Sequence, residues 1–516
     1  MANNIKCCLI LFLGLSFFGS SNLSAQVDFE KWKAEQEKEF KEYRDKFDKE
    51  FIEMLNKTWK EVGINKEEKQ YEEDKPKELP VVKAPPKPLV DNKKPEDEVI
   101  EDEINLDFPI NKPPKKIDIP KKAIKEKPEV KKESSVETKL FGELPVSSLP
   151  LSFFATTIPI DYPLMLKEKL KKENYNRGKI NNKRIANFWE IVSSVNHDKF
   201  ISEVLAKKKQ MALNDWGFVL LVNDISKEIF GSYNTNLVRM MNWFILSKAG
   251  YEMKIGYDKN GVYNLFTVSN NIFNTKYYTL DNNKFFPINF NAESQKPGSI
   301  YTYSGKHNAQ VKKLDLSIKD YPTFPSNNLN IKTLEFEFKG KSYKVPVSVN
   351  NEFVKYFEYY PLTDLEVFFS APLPSGIKAS IVNSLGPHLE RMNEEDAVNF
   401  LLKFVQTAFE YQTDQDQFDR EKYMFPDEIL HYQYSDCDDR SIFFASLVKE
   451  LLGLDVVGLR YSRHLAVAVN FRNDVSGDYH MVGNKKFTVA DPTYINAPFG
   501  LTMTSYKNEK PKIIRF

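Results

Sequence analysis

The sequence predicts an α+β protein whose chemistry is gathered in the last third of the chain. Three observations carry that reading. Residues 28–62 hold apolar side chains at spacings of three and four, the period of an amphipathic helix. Residues 300–370 alternate apolar and polar positions in short runs, the period of strands. Residues 386–516 pass from helical patterns into short β segments joined by turn residues.

Composition bounds what such a chain can be. Of 516 residues, 41% are hydrophobic and 13% aromatic, with 39 Phe and 25 Tyr, enough for more than one core. The 73 Lys and Arg against 72 Asp and Glu leave a formal charge of +1, without the basic excess of a nucleic-acid binder. Three cysteines exclude a disulfide scaffold. A mean hydropathy of -0.49 with a single apolar run excludes a protein of many membrane spans.

That apolar run opens the chain. Lys6, then Cys7-Cys8-Leu9-Ile10-Leu11-Phe12-Leu13, then the small residues Ser24-Ala25 are the three parts of a secretory signal peptide over 1–26. A retained anchor is the alternative, but the run is short for a span. Cleavage removes Cys7 and Cys8, leaves Cys437 as the one cysteine, and implies export to the periplasm or medium with no membrane span in the mature chain.

Residues 27–64 read as one helix, with Phe29, Trp32, Phe40, Tyr43, Phe47, Phe51, Met54, Leu55, Trp59 and Val62 on its apolar stripe. It either docks a partner or folds back on the chain's own surface. Residues 65–140 are rich in Pro, Lys and Glu and hold few apolar residues, the composition of a disordered tether.

Residues 141–299 contain a helix from Asn234 to Gly250, strand patterns at 253–257 and 262–268, and a hairpin at 277–285. The same order recurs from Cys437 onward. The equal spacing of 16 residues to Gly250 and Gly453 sets Asn234 opposite Cys437 and Asn289 opposite Asp491, with no His opposite His464. This reads as a degenerate copy. Residues 300–385 read as a β-rich connecting module or as strands completing the flanking units. Strands are expected at 334–338, 343–349 and 365–369.

In 386–516, a helix at 394–411 precedes a second one that starts at Cys437, with Asp436 as N-cap and Gly453 as stop. Strands follow at 455–461, 464–471, 477–482 and 486–491, the last ended by Pro492. A cysteine in the first turn of a helix, a His at the start of a strand and an Asp at the end of another are the parts of a thiol acyl-transfer site. The helix N-terminus and an imidazolium favour thiolate, and a carboxylate fixes the imidazole tautomer. Both gaps, Cys437 to His464 and His464 to Asp491, are 27 residues. Asp436, Asp438 and Asp439 must then be drawn into capping bonds or onto Arg440, because nearby carboxylates raise a thiol's pKa. His197, His307, His388, His431 and His480 show no metal-ligand spacing, so no metal is assigned.

Ser435-Asp436-Cys437-Asp438-Asp439-Arg440-Ser441, Tyr461-Ser462-Arg463-His464-Leu465-Ala466-Val467 and Val489-Ala490-Asp491-Pro492-Thr493-Tyr494 resemble the three motif blocks of the transglutaminase-like superfamily. Their wording is similar to exported bacterial members with a long N-terminal helix and a proline-rich tether. Over roughly 390–500, the resemblance implies a papain-like α+β core with Cys437, His464 and Asp491 as its triad.

The function expected is an exported cysteine-dependent enzyme acting on peptide or isopeptide amides through a thioester, with hydrolysis favoured over amine transfer. Cys437 is the nucleophile, His464 the base and then the acid, and Asp491 the orienter. The Cys437 backbone N–H, supported by Gln433, forms the oxyanion hole. No cofactor is needed, and the partner is a protein or peptide substrate. The alternative is a non-catalytic binding or scaffold protein that reuses the same fold.

Overall fold

The computed structural model describes residues 45–57, 59–71, 75–82, 146–175, 179–288, 298–307 and 310–516, with four isolated helical positions before residue 45. The segment expected as a signal peptide, 1–26, most of the expected tether and Asn289 lie outside the described residues. Among the described residues, no helix is long and apolar enough to cross a membrane.

The N-terminal helix ends at residue 55, earlier than the apolar period suggests. The Trp59 indole N–H turns back to the Leu55 carbonyl at 2.9 Å, and Lys60–Val62 is a strand antiparallel to Ile300–Thr302. Among the described residues, Phe51, Leu55 and Trp59 of its stripe are covered by the chain itself, while Trp32 is exposed. Phe51 meets Trp189 edge-on at 4.7 Å and also packs on Trp243, Tyr303 and His307. Beside it the buried Asp48 binds Lys248 Nζ at 2.6 Å, the Trp189 indole N–H at 2.9 Å and His307 Nε2 at 3.2 Å. Of the two readings of this helix, the described turns follow the one in which it folds back. Residues 65–71 and 75–82, expected to begin the tether, are also laid along the folded chain, held by side chains that a compositional reading does not register.

The upstream half begins with a hairpin, Val146–Phe153 with Thr156–Pro163. Helices Leu164–Glu173, Asn182–Ser193, Asp198–Gln210, Asp215–Phe230 and Thr235–Lys248 follow. Asn181 and Asn214 cap two of them by accepting from Arg184 N and Gly217 N, each at 3.0 Å. Behind the last helix stands a sheet ordered Lys60–Val62, Ile300–Thr302, Met253–Asp258, Gly261–Phe266, with the hairpin Tyr278–Leu280/Asn283–Phe285 beside it.

The β-rich region at 300–385 is divided between the two sides. Its first strand belongs to the upstream sheet. The hairpin Leu329–Phe338/Lys341–Asn350 turns on Lys339 and Gly340, both at positive φ as a type I′ turn requires, and packs on helices Ser375–Leu389 and Glu394–Thr407. The strand expected at 365–369 is instead the helix Leu365–Ser370. Leu365, Val367, Phe368 and Phe369 are all buried, and a short run with one polar residue, Glu366, among four apolar ones carries no period to separate strand from helix.

The C-terminal sheet is ordered Tyr479–Val482, Lys485–Ala490, Leu465–Asn470, Asp455–Arg460, Lys512–Ile514, with every neighbour antiparallel. Pairing of Val467 with Ala490 brings the start of one strand beside the end of the other, so His464 and Asp491 emerge at the same end of the sheet. The helix Cys437–Leu447 is buried on all sides and packs on strand Leu465–Asn470, with Ser441 Oγ donating to Leu465 O at 2.8 Å.

Both halves run helix, antiparallel strand pair, hairpin. Strand Ile300–Thr302 flanks Met253–Asp258 as Lys512–Ile514 flanks Asp455–Arg460. A Cβ on Gly256 would lie 2.5 Å from Ile300 Cδ1, and one on Gly458 3.0 Å from Ile514 Cβ. The helices begin at Thr235 and Cys437, after the N-caps Asn234 and Asp436, so Thr235 rather than Asn234 stands opposite Cys437. The one-residue offset comes from the π turn Val448–Leu452, which adds a residue before Gly453.

Asp48 yields a test of the core. Burial alone would raise its carboxyl, but the His307 hydrogen bond, the Lys248 charge and the Trp189 N–H hold it far below the ordinary range. A carboxyl lowered by folding contributes stability that is present above about pH 4 and lost as the pH falls through the folded value. Asp48→Asn should cost ~3–5 kcal/mol at pH 7, since it leaves the buried Lys248 ammonium without its carboxylate. Urea unfolding between pH 2 and 7 should also show a shallower acid loss in the variant than in the wild type.

Candidate active site

Asp436 stands at the start of the Cys437 helix in extended backbone. Its carboxylate accepts from Asp438 N at 3.0 Å, and its own N–H donates to Asp439 Oδ2 at 3.0 Å. This reciprocal capping box fixes Cys437 as the first helical residue. The thiol is 1% exposed and 3.8 Å from Asp438 Oδ1, at the start of the helix that Ser441 Oγ ties to the carbonyl of Leu465, the residue after His464.

His464 Nε2 lies 2.8 Å from Asp491 Oδ2, with both side chains buried. Thr493 satisfies the other carboxylate oxygen, Oγ1 at 2.7 Å and N at 3.0 Å, and Gln406 Nε2 holds the Asp491 carbonyl at 3.2 Å. The imidazole is stacked on Tyr506 with ring centroids 5.1 Å apart and planes 14° from parallel. Burial would push the Asp491 carboxyl up, but the His464 charge and the bonds from His464 and Thr493 hold it below the usual range.

Cys437, Asp436, His464 and Asp491 are therefore gathered at one end of the sheet, and Gln433 is not. It is exposed, and its amide donates to Glu410 Oε1 at 2.8 Å, because Tyr434–Ser435 pairs in parallel with Glu410–Tyr411 and turns Ser435 inward. Arg440 does not pair with the flanking carboxylates either. Its guanidinium donates to Ser435 Oγ, Gln406 O and Phe409 O, and burial lowers its pKa to about 10.

The counter-charge comes from Lys75. Its ammonium lies 2.5 Å from Asp438 Oδ2, 2.5 Å from Glu421 Oε1, 2.7 Å from Asp436 Oδ2 and 3.4 Å from Asp414 Oδ2, with the Lys75 side chain 5% exposed. Tyr71 donates to Asp438 Oδ1 from the same segment. Two sets of metal-ligating atoms, Asp436/Cys437/Asp438 and Asp414/Asp436/Asp439, each lie within 4.8 Å of one another, and the ammonium is the cation bound beside them. Nothing in the sequence around Lys75 marks it out, because its neighbours are Glu, Asp, Lys and Pro.

The thiol is held neutral. Burial, then the Asp438 and Asp436 carboxylates, push it well above the ordinary thiol range, against the opposing effects of Lys75 and the Leu465 N–H. Burial and the same two aspartates push Glu421 up to about 7 even with Lys75 beside it. No protein family, curated protein or solved structure matches this chain.

Glu421 gives the site a pH signature. A carboxyl raised by folding contributes stability that is full below about pH 4.3 and lost as the pH rises through the folded value, here about 7. The melting temperature of the wild type should fall from pH 5 to 8, and Glu421→Gln should flatten that slope. Equal slopes in the two proteins would contradict the assignment.

Proposed function

We propose that the chain is a cysteine-dependent enzyme acting on peptide or isopeptide amides through a thioester intermediate, built on a transglutaminase-like, papain-like core. One observation carries this reading. Asp491 engages His464 Nε2, and Cys437 opens the helix that Ser441 ties to Leu465, the residue that follows the histidine.

The chemistry follows from these groups. The Cys437 thiol gives its proton to His464 Nδ1, and the sulfur attacks the amide carbonyl carbon. The Cys437 backbone N–H, unpaired at the helix start, faces the developing oxyanion. The C–N bond breaks as the imidazolium protonates the leaving amine, and Asp491 holds the ring in place throughout. Water, deprotonated by His464, then cleaves the thioester and frees the acid. Hydrolysis is preferred to amine transfer because water needs no acceptor pocket.

The upstream half fits a degenerate copy of the same unit. Thr235 takes the cysteine position, and the two-residue turn Lys259-Asn260 replaces the longer loop that carries His464. Export by the N-terminal signal belongs to the same proposal. A second reading, a binding protein that keeps only the fold, is favoured by the buried and neutral thiol.

Acyl-adduct mass spectrometry separates the two readings. Incubation with a mixed peptide library and acid quenching should show an acyl mass on Cys437 in the wild type. It should fall by about 100-fold or more in His464→Ala, the scale of a lost general base. The melting temperature should fall as well, because the change leaves the buried Asp491 carboxylate without its partner, so adducts are compared at a temperature where both proteins remain folded. An adduct that persists in His464→Ala, or its absence from the wild type, would favour the binding protein.

A further inference from the structure

We propose that the four-carboxylate cage beside Cys437 is a recognition site for a primary ammonium, the lysyl side chain of a protein substrate next to the amide attacked, and that Lys75 fills this site in cis. The substrate half of the proposal rests on Cys437 being the nucleophile. The ammonium half does not.

The carboxylates of the cage all come from the C-terminal half, and Tyr71, from the segment that carries Lys75, adds a hydrogen bond to Asp438 and a ring centred 5.3 Å from the ammonium. Asp414, Glu421, Asp436 and Asp438 converge on one nitrogen, and the Tyr423 ring lies with its centroid 5.7 Å from that nitrogen. Its occupant comes from a segment more than 300 residues upstream. Four carboxylates around a point suit a compact ammonium, whereas a guanidinium asks for paired oxygens in its own plane. Asp414 Oδ1 is a second, independent sign. It belongs to a side chain 1% exposed whose Oδ2 binds Lys75 and Lys422 N, and it has no hydrogen-bond partner, so the cage has a buried polar atom that Lys75 leaves unpaired.

The segment carrying Lys75 is bound much as an extended peptide would be. Beyond Lys75 it is fastened through its backbone: Tyr411 OH donates to Pro76 O at 2.6 Å, Ile495 N to Pro80 O at 3.1 Å, and Val82 N to Ile495 O at 2.9 Å. Such contacts read main chain and not sequence, so another chain could repeat them with its own lysine in the cage. A cleft of about 500 Å³ lies between this segment and the Thr413–Asp416 stretch and reaches Asp414 and Glu421. The bound ammonium is a recognition element and not the attacking amine. Burial works against its charge, but the carboxylates outweigh burial and hold Lys75 well above the ordinary lysine range, hence protonated and without a lone pair.

The test is chemical rescue in the full-length chain. Lys75→Ala removes three methylenes and the ammonium, the shape of n-propylammonium. Propylammonium chloride should raise the melting temperature of Lys75→Ala by about 4 °C or more and slow its iodoacetamide labelling at Cys437 about 10-fold, with no effect on the wild type. Guanidinium, tetramethylammonium and calcium chlorides at equal ionic strength should do neither. Equal stabilisation by calcium or guanidinium, or by no cation, overturns the proposal.

Should Lys75→Ala fail to fold, Lys75→Met keeps the side-chain stem and carries the test. A peptide copying residues 69–82 should slow its Cys437 labelling, and the same peptide with norleucine for the lysine should not. Equal effects of the two peptides overturn the proposal. If propylammonium stabilises Lys75→Ala while no variant forms an acyl adduct, the ammonium site stands and the enzymatic reading falls.

Discussion

One ammonium touching three buried carboxylates and the half-buried Glu421 is the constraint on which the site depends. Asp414, Glu421, Asp436 and Asp438 share the charge of Lys75, and the buried Asp439 adds a fifth acid at the same helix start. Such a group is costly to assemble, and removing its cation leaves several charges unpaired in a low dielectric. The consequences reach outward. The segment bearing Lys75 is fixed across the face of the site, the thiol is covered, and its proton is retained. The same arrangement therefore fastens the segment bearing Lys75 to the C-terminal half.

Beneath that constraint, the geometry is a product of ordinary secondary structure. A capping box sets Cys437 at a helix N-terminus. Antiparallel register sets His464 and Asp491 at one end of the sheet, and Ser441 ties the helix to the strand between them. Thr493 and Tyr506 then immobilise the pair, one through the carboxylate and the other through ring stacking. His464 and Asp491 sit just outside regular elements, one before a strand and one after another, and Cys437 is the first residue of its helix.

Much of this was legible in the residues. Turn and cap signals marked the Cys437 helix, the hairpins and the strand ends, because those signals are local. The pairing of His464 with Asp491 followed from strand order. What could not be read were contacts over long sequence separation. Lys75 and Tyr71 sit in a stretch whose composition is that of a tether, and composition says nothing of a single side chain's destination. Gln433 was placed by proximity in sequence, but a two-residue parallel pairing turns it outward. Residues 365–369 hold one polar residue, Glu366, among four apolar ones, too few to fix a period. Asn234 was matched to Cys437 by counting back from a glycine, and one π-turn residue was enough to shift the match to Thr235.

The central claim is that Lys75 and the carboxylates of the cage act as one energetic unit. A double-mutant cycle in urea unfolding measures this most directly, with Lys75→Met, Asp436→Asn, which keeps an N-capping side chain, and the two combined. The account predicts strong coupling, about 1.5 kcal/mol or more, with the double variant more stable than the sum of the single losses implies. Additivity within about 0.5 kcal/mol would contradict it, and the contact between Lys75 and the cage would then be incidental to how the site is held.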